Sequence, residues 1–132
     1  QKMITAVDEF LRYDSPILSL GRIVTEDTEL GEQQIKEGDR VFSMLLGVNR
    51  DPEVFRNPNE LNITRMPNPH MAFGKGPHFC LGTPLARIEG QIALTAVLER
   101  FESFELTEPV ESIPWLNSMV TRGPTRLPLR FK

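Results

Sequence analysis

The chain has 132 residues, of which 39% are hydrophobic and 25% charged, and its formal net charge is -3 at pH 7. These values are typical of one modest globular domain, and the mild acidity argues against nucleic acid as the main partner. No apolar run reaches the ~18 residues that a membrane-spanning helix needs, so we expect no membrane partner. One cysteine cannot form an internal disulfide, which favours a reducing compartment and a cytoplasmic location.

The first predicted element is an amphipathic helix from about residue 4 to residue 13. Its apolar residues recur at helical spacing, at Ile4, Val7, Phe10 and Leu11. Glu9 and Arg12 are three positions apart, so they lie on the same side of this helix. Taken alone, such an E-x-x-R pair predicts only an exposed ion pair.

A small, mostly antiparallel sheet is predicted next. Residues 17–28 and 29–37 are typical of extended chain, residues 37–39 are a turn signal, and residues 40–44 favour a paired strand. Arg22 interrupts the apolar pattern of the first strand. The strand pattern by itself predicts that this side chain lies on an exposed face of the sheet.

The middle of the chain combines a short helix with a long irregular segment. Residues 45–50 favour helix, whereas residues 52–69 are rich in proline and asparagine and show no hydrophobic period. An irregular segment of this length inside a domain indicates a functional or tightly anchored loop. Arg65 lies in it, and its immediate sequence predicts only a solvated side chain.

The longest helix is predicted over residues 83–101, with a wide apolar surface that suits burial in a larger body. Small residues allow close approach of a neighbour at Ala86, Gly90, Ala93 and Ala96. Extended chain follows at residues 104–106 and 127–131, and a hairpin is predicted over residues 115–120.

The stretch before the long helix, residues 73–82, holds the only cysteine between glycines. A thiol at the start of a helix lies where backbone N–H groups and the helix dipole favour the thiolate. A zinc site needs three or four ligands, and only His70 and His78 could join Cys80. A nucleophilic cysteine needs a base, which either histidine could supply. A buried, inert cysteine would leave the glycines unexplained.

Axial ligation of an iron porphyrin is the fourth alternative, and it gives each feature of the stretch a purpose. A sulfur bound to a flat macrocycle needs backbone close by, and glycine permits both that approach and positive φ angles. Backbone N–H groups directed at the sulfur would hold it as thiolate. Phe73 would cover the sulfur from water.

The pattern Phe73-x-x-Gly76-x-x-x-Cys80-x-Gly82 resembles the haem-binding signature of the cytochrome P-450 family. His78 occupies a position that is often histidine in bacterial members. This signature is far more specific than a lone cysteine or a glycine-rich loop.

Two further features extend the resemblance to nearly the whole chain, from about Ala6 to Phe131. Glu9-x-x-Arg12 lies upstream on a predicted helix, as in that family, and Arg65 falls where the family has a third partner. The blocks that look like a soluble bacterial member include residues 10–13, 49–52 and 85–87.

The resemblance implies an α+β fold, with residues 1–132 as one unit. This unit is similar to the carboxy-terminal part of the P-450 fold, from the ExxR helix through a small sheet, an irregular meander and the cysteine loop to the long helix and final strands. Family members are several times longer, so we expect a haem-ligand-bearing fragment that exposes apolar surface and self-associates. The alternative is a haem-free, inactive structural domain.

By the same resemblance, Cys80 is the catalytic residue and the thiolate ligand of haem b, iron protoporphyrin IX. The residues expected to bind the cofactor are Arg22, Phe73, Gly74, Gly76, His78, Cys80 and Gly82. Of these, Arg22 and His78 would bind the haem propionates. The members of a buried charge cluster that locks the irregular segment to the first helix are Glu9, Arg12 and Arg65. The expected substrate-pocket residues are Ile17, Leu18, Met119 and Val120.

The implied function is O₂-dependent hydroxylation of a small hydrophobic organic substrate by a haem-thiolate monooxygenase. Cysteine ligation donates electron density to the iron and favours O–O cleavage. Electrons would come singly from a ferredoxin- or flavodoxin-type partner that docks on the Cys80 side. Lys75 and Arg87 are candidate contacts for that partner.

Overall fold

Helices and antiparallel strand pairs make up the regular part of the computed structural model, which describes residues 2–132. The helices are α1 (Lys2–Tyr13), α2 (Leu45–Val48) and α3 (Thr83–Arg100). The strands are β1 (Ser19–Ile23), β2 (Thr28–Leu30), β3 (Gln33–Ile35), β4 (Arg40–Met44), β5 (Phe104–Leu106) and β6 (Leu129–Phe131). Short 3₁₀ turns lie at Gly76–His78 and Val110–Ser112. The mixed helical and antiparallel architecture agrees with the prediction.

The strands pair as β1 with β4, β2 with β3, and β5 with β6, each pair antiparallel. The strand predicted at residues 40–44 forms at those positions. The extended stretch predicted at residues 29–37 is interrupted by a turn, where Gly31 adopts a φ of 62°. Glycine adopts this left-handed conformation without the steric cost that a Cβ imposes, so the chain reverses there.

The hairpin predicted over residues 115–120 is wrong in its position. The chain does turn back on itself, but over a wider span, with a single bridge between Trp115 and Pro124. Leu116 N–H donates to Gly123 O at 2.9 Å, and Thr125 N–H donates to Pro114 O at 2.8 Å. Proline cannot donate to a ladder, which prevents a longer paired strand here.

Helices α1 and α3 cross at a small residue, as the sequence predicts for Gly90. A Cβ built on Gly90 would lie 3.2 Å from Val7 Cγ1, so glycine permits the close approach. The other predicted close-approach positions differ, since Ala93 and Ala96 are exposed. Within residues 2–132, α3 also leaves large apolar side chains uncovered, at Leu85, Ile88, Ile92 and Leu98.

The buried face of α1 differs from the predicted apolar face. Ile4 and Phe10 are 50% and 40% exposed, whereas the buried residues of the helix are Ala6, Val7, Glu9 and Arg12. The helix therefore presents its charged pair, and not its largest apolar side chains, to the rest of the chain.

The irregular segment after α2 is irregular in the structure as predicted, and it packs against α1. Phe55 is buried in it and lies beneath two guanidinium groups, 5.3 Å from Arg12 Cζ and 6.0 Å from Arg65 Cζ. The largest fully buried side chains include Arg12, Leu45, Glu9 and Asn49, so the centre of the molecule is largely polar. In the part of the chain described, helices are too short or too polar to cross a membrane.

Replacing Gly90 with Val is expected to separate α1 from α3, because the added methyl groups meet Val7. Overpacking of this kind typically costs about 1–3 kcal/mol of unfolding free energy. The measurement is the thermal unfolding midpoint. Ala93→Val is the matched control, since Ala93 is an exposed position on the same helix. Equal midpoints for the two variants would contradict the crossing.

Candidate functional site

Glu9 and Arg12 form a buried bidentate ion pair on α1. Arg12 Nε donates to Glu9 Oε2 at 2.8 Å, and Arg12 Nη2 donates to Glu9 Oε1 at 2.9 Å. Both side chains are fully buried. Arg65 completes the group, with its Nε 3.1 Å from Glu9 Oε2. We refer to these three residues as the charge cluster.

The remaining donors of the charge cluster bind backbone carbonyls at the end of α2 and in the irregular segment. Arg12 donates to the carbonyls of Asn49, Pro58 and Glu60. Arg65 donates to the carbonyls of Arg56, Asn57 and Glu60. The Asn62 N–H donates in turn to Glu9 Oε1 at 2.9 Å. The cluster therefore supplies side-chain donors for carbonyls of the irregular segment that lie in neither a helix nor a strand.

The environment of Glu9 keeps its carboxylate charged. Burial alone would raise the pKa of Glu9, but hydrogen bonds from Arg12, from the Asn62 N–H and from Arg65 outweigh burial and hold the pKa below its usual value of 4.5. The folded state thus binds this proton less readily than the unfolded state does. Its contribution to stability is present above pH 4.5 and is lost as the pH falls below that value.

The loop that carries Cys80 depends on two glycines in the left-handed region. Gly74 has a φ of 73° and Gly76 a φ of 77°, which L side chains rarely adopt. The loop closes through the Cys80 N–H, which donates to Phe73 O at 3.0 Å, and the Phe79 N–H, which donates to Gly76 O at 3.0 Å. Positive φ angles were expected of this stretch, and two of its three glycines adopt them.

Gly82 differs from the other two glycines. Its φ is -76°, and it precedes the first residue of α3 as the helix cap. A Cβ built there would lie 3.6 Å from Cys80 Sγ, an ordinary contact. The backbone and the neighbours of Gly82 in this chain would therefore accept alanine.

The Cys80 side chain is exposed, while its backbone is held firmly. Thr83 donates to Cys80 O through its N–H at 3.2 Å and through its hydroxyl at 2.7 Å. Two expectations are not met among residues 2–132. None of the hydrogen bonds ends on Cys80 Sγ, and Phe73 leaves Cys80 exposed. The Phe73 ring centroid lies 6.5 Å from that of Phe79.

Arg22 and His78 lie on different elements. Arg22 is an exposed residue of β1, opposite Val41, and His78 ends the exposed 3₁₀ turn just before Cys80. Leu20 Cδ1 would contact a Cβ on Gly74 at 3.6 Å, so β1 borders the cysteine loop. Side chains two apart on a strand share a face, which places Arg22 on the face that Leu20 turns towards that loop.

The four expected pocket residues lie on two segments that bind each other. The Leu18 N–H donates to Val120 O at 2.8 Å, and Ser19 Oγ donates to Met119 O at 2.7 Å. Ile17 and Leu18 are partly exposed, while Met119 and Val120 are 70% and 50% exposed. These hydrogen bonds therefore keep the two segments, and with them the four apolar residues, next to each other.

The two candidate contacts for a redox partner differ in whether their charge is already paired. Lys75 is exposed on the cysteine loop. Arg87 is not a free surface charge, because its Nε donates to Asp8 Oδ1 at 2.7 Å and its guanidinium lies 5.5 Å from the Phe73 ring. Over residues 2–132, His, Cys, Asp and Glu do not gather in groups of three or more that could hold a metal ion.

Three residues near the cysteine loop have structural roles that the sequence does not predict. Asn49 is fully buried, and its Oδ1 accepts the Met71 N–H at 2.7 Å while its carbonyl accepts Arg12. The sequence predicts no role for Asp8 and no link between His70 and α1, although His70 Nε2 lies 3.4 Å from Asp8 Oδ1 and so joins that helix to the end of the irregular segment. The only signal for Asn49 was its place in the Asn49-Arg50-Asp51-Pro52 block.

Comparison with known proteins assigns the family. A protein-family model described as cytochrome P450 matches residues 3–130. The polyketide biosynthesis cytochrome P450 PksS of Bacillus subtilis is 45% identical over 130 residues, which is 98% of this chain and 32% of that protein. The chain belongs to the cytochrome P450 family.

Other relatives and solved structures agree with this assignment. The 6-deoxyerythronolide B hydroxylase of Saccharopolyspora erythraea is 38% identical over 96% of this chain and 31% of that protein. The solved structure of PksS superposes with a TM-score of 0.94 at 46% identity, over 97% of this chain and 33% of that one. The chain thus spans about a third of the length of these relatives, whose family binds haem b through a cysteine thiolate.

Replacing Glu9 with Gln is expected to cost about 3–5 kcal/mol of unfolding free energy, because two buried arginines lose their counter-ion. Chemical denaturation measures this loss. Glu105→Gln is the matched control, since its pair with Arg130 is 3.4 Å long and mostly exposed, and should cost less than about 1 kcal/mol.

The same variant tests the acid dependence of stability. Wild-type stability should fall as the pH drops below about 4.5, the usual pKa of Glu9. Glu9→Gln should show a shallower fall, because the group that gains a proton on unfolding is absent. Parallel pH profiles for the two proteins would exclude Glu9 as the main source of this dependence.

Proposed function

We propose that this chain carries the haem-ligating part of a cytochrome P450 monooxygenase, in which Cys80 would hold haem b through its thiolate. The observation that supports the proposal most is the exposed sulfur at the end of a loop held by positive-φ glycines. A ligand loop of this kind needs an accessible sulfur and a well-held backbone. Cys80 is exposed, and Phe73 and Thr83 form hydrogen bonds with its backbone, which supports the proposal.

The residues around the sulfur fit a flat, apolar group. Phe79 is 52% exposed and Leu81 is 97% exposed, which is costly for apolar side chains unless another surface covers them. Nothing within this chain requires glycine at position 82, since its φ and its neighbours would accept alanine. A bound group that lies close to the backbone would be a reason for glycine there. A macrocycle close to the backbone supplies such a requirement.

The haem group, when bound through cysteine thiolate, supplies oxygen activation with strong electron donation from the sulfur. The chain's own residues would hold it in place. Arg22 and His78 would donate to the propionates, the former by charge-assisted hydrogen bonds. The charge cluster would keep the irregular segment rigid. The cysteine loop, which follows that segment, would then stay in place when Cys80 is a thiolate.

The substrate is proposed to be a small hydrophobic organic compound that contacts Ile17, Leu18, Met119 and Val120. Relatives carry the names biflaviolin synthase and nocardicin C N-oxygenase, and one solved relative was studied with a fatty acyl group on an acyl carrier protein. A ferredoxin- or flavodoxin-type protein would deliver electrons on the Cys80 side, near Lys75, and a cytoplasmic location stays a prediction.

A second function is supported by the uncovered apolar residues of α1 and α3. Residues 1–132 by themselves would then form a haem-free, inactive domain that associates with copies of itself. Sedimentation of these 132 residues, together with their absorbance spectrum, separates the two. Monomers that bind haem would exclude the second function.

Replacement of Cys80 by Ala should abolish the strongly red-shifted Soret band of the reduced, carbon monoxide-bound protein, because that band requires thiolate ligation. The measurement is the difference spectrum of equal amounts of haem-bound protein. A full-length wild-type protein without this band would refute the proposed function. A variant that keeps the band would remove Cys80 as the ligand.

Replacement of Gly82 by Ala should weaken haem binding while it leaves the thermal midpoint of the haem-free protein unchanged, since the chain itself accepts a Cβ there. Haem titration followed by absorbance measures the affinity. Gly76→Ala is the contrasting variant, because its φ of 77° makes any side chain strained even without haem. Unchanged haem affinity in Gly82→Ala would show that no bound group approaches this position.

A further inference from the structure

A second polar group lies beside the charge cluster and connects α1, α3 and the end of the irregular segment. Arg87 Nε donates to Asp8 Oδ1 at 2.7 Å, and His70 Nε2 lies 3.4 Å from the same oxygen. The side chain of His70 is 2% exposed, and those of Asp8 and Arg87 are 23% and 38% exposed. We refer to these residues as the Asp8–His70–Arg87 group.

The hydrogen bonds of His70 assign its tautomer. The Ala72 N–H donates to Nδ1 at 3.3 Å, so the ring hydrogen lies on Nε2 and faces Asp8. Burial lowers the pKa of His70, and the nearby Asp8 carboxylate opposes this effect without reversing it. A neutral imidazole and the Arg87 guanidinium therefore share one carboxylate oxygen without mutual repulsion.

Two members of this group contact the same aromatic ring. The His70 and Phe73 ring centroids are 6.0 Å apart, and Arg87 Cζ lies 5.5 Å from the Phe73 centroid. The Phe73 carbonyl accepts the Cys80 N–H at 3.0 Å. One side chain and one backbone hydrogen bond thus separate the group from the residue that carries the sulfur.

The residue types in this group are better suited to orienting the Phe73 ring than to stabilising the fold. A partly exposed ion pair contributes only about 0–1 kcal/mol to stability. The planar guanidinium of arginine, in contrast, can bind a carboxylate and stack on a ring at the same time, which lysine cannot do. The ring so held belongs to the loop of Cys80.

We propose that Asp8, His70 and Arg87 are positioning residues that hold Phe73 and, through its carbonyl, the orientation of Cys80. This inference rests on the proposed function, since the orientation matters for a sulfur that ligates haem iron. Without the group, Phe73 would shift, and its carbonyl, which accepts the Cys80 N–H, would shift with it. A sulfur turned from its proper orientation donates less electron density to iron, so the iron reduction potential should rise.

The test uses the full-length, haem-bound protein and the variants Arg87→Gln and His70→Leu. The matched control is Arg100→Gln, which removes an arginine from the other end of α3, where its guanidinium lies 5.8 Å from the Phe101 ring. Two quantities are measured: the reduction potential of the iron, and the fraction of bound haem whose reduced carbon monoxide complex gives the red-shifted band. Both variants should raise the potential and lower that fraction, and the control should change neither.

A conservative variant separates positioning from stability. Arg87→Lys keeps a cation beside Asp8 but lacks the plane that stacks on Phe73, so it should show a wild-type thermal midpoint together with a raised potential. Unchanged potentials and spectra in the Arg87 variants, whatever their stability, would overturn the proposal. Failure of Arg87→Gln and Arg87→Lys alike to fold would also overturn it, because the group would then be structural.

These results are distinguishable from failure of the proposed function. If wild-type protein lacks the red-shifted band, the haem-thiolate assignment itself is wrong. If wild-type protein shows the band and the variants do not differ from it, only the positioning role is wrong.

Discussion

The buried interaction between Glu9 and two arginines is the constraint on which the rest of this structure depends. Arg12 and Arg65 share one carboxylate and distribute their other donors over carbonyls of the irregular segment. That segment has no ladder or helix to satisfy its own backbone. Its conformation therefore depends on side chains that come from α1 and from within the segment itself.

A polar centre of this kind has a structural consequence. Removing two or three charges from water is costly, and only complete hydrogen bonding compensates for it. Arg12 uses all of its donors, each nitrogen of Arg65 makes a hydrogen bond, and Phe55 fills the space under the guanidinium groups. The arrangement tolerates one geometry, whereas an apolar core of the same size would accept several. A rigid irregular segment is what a loop with an outward-facing ligand needs behind it.

In the cysteine loop, the backbone of Cys80 is held by hydrogen bonds while its side chain is exposed. Thr83 and Phe73 bind the backbone of Cys80 on both sides, and Sγ stays exposed. The Asp8–His70–Arg87 group adds a third support that acts on Phe73. Apolar side chains on α1, on α3 and next to the sulfur are also exposed, in a chain that spans about a third of its relatives' length.

The sequence by itself determined the positions of the helices, the paired strand at residues 40–44, the irregular nature of residues 52–69 and the place of the cysteine loop. These features depend on local rules: helical period, proline content and glycines at positive φ, as at Gly74 and Gly76. The role of Glu9 as a buried centre came only from family resemblance, because its spacing to Arg12 is equally that of an exposed pair. Burial was decided by the tertiary structure, which brings Asn49, Pro58 and Glu60 carbonyls onto Arg12 from 37 to 48 residues away. The pairing of Arg87 with Asp8, 79 residues apart, was likewise beyond local rules, since no period in a sequence encodes a contact between distant elements.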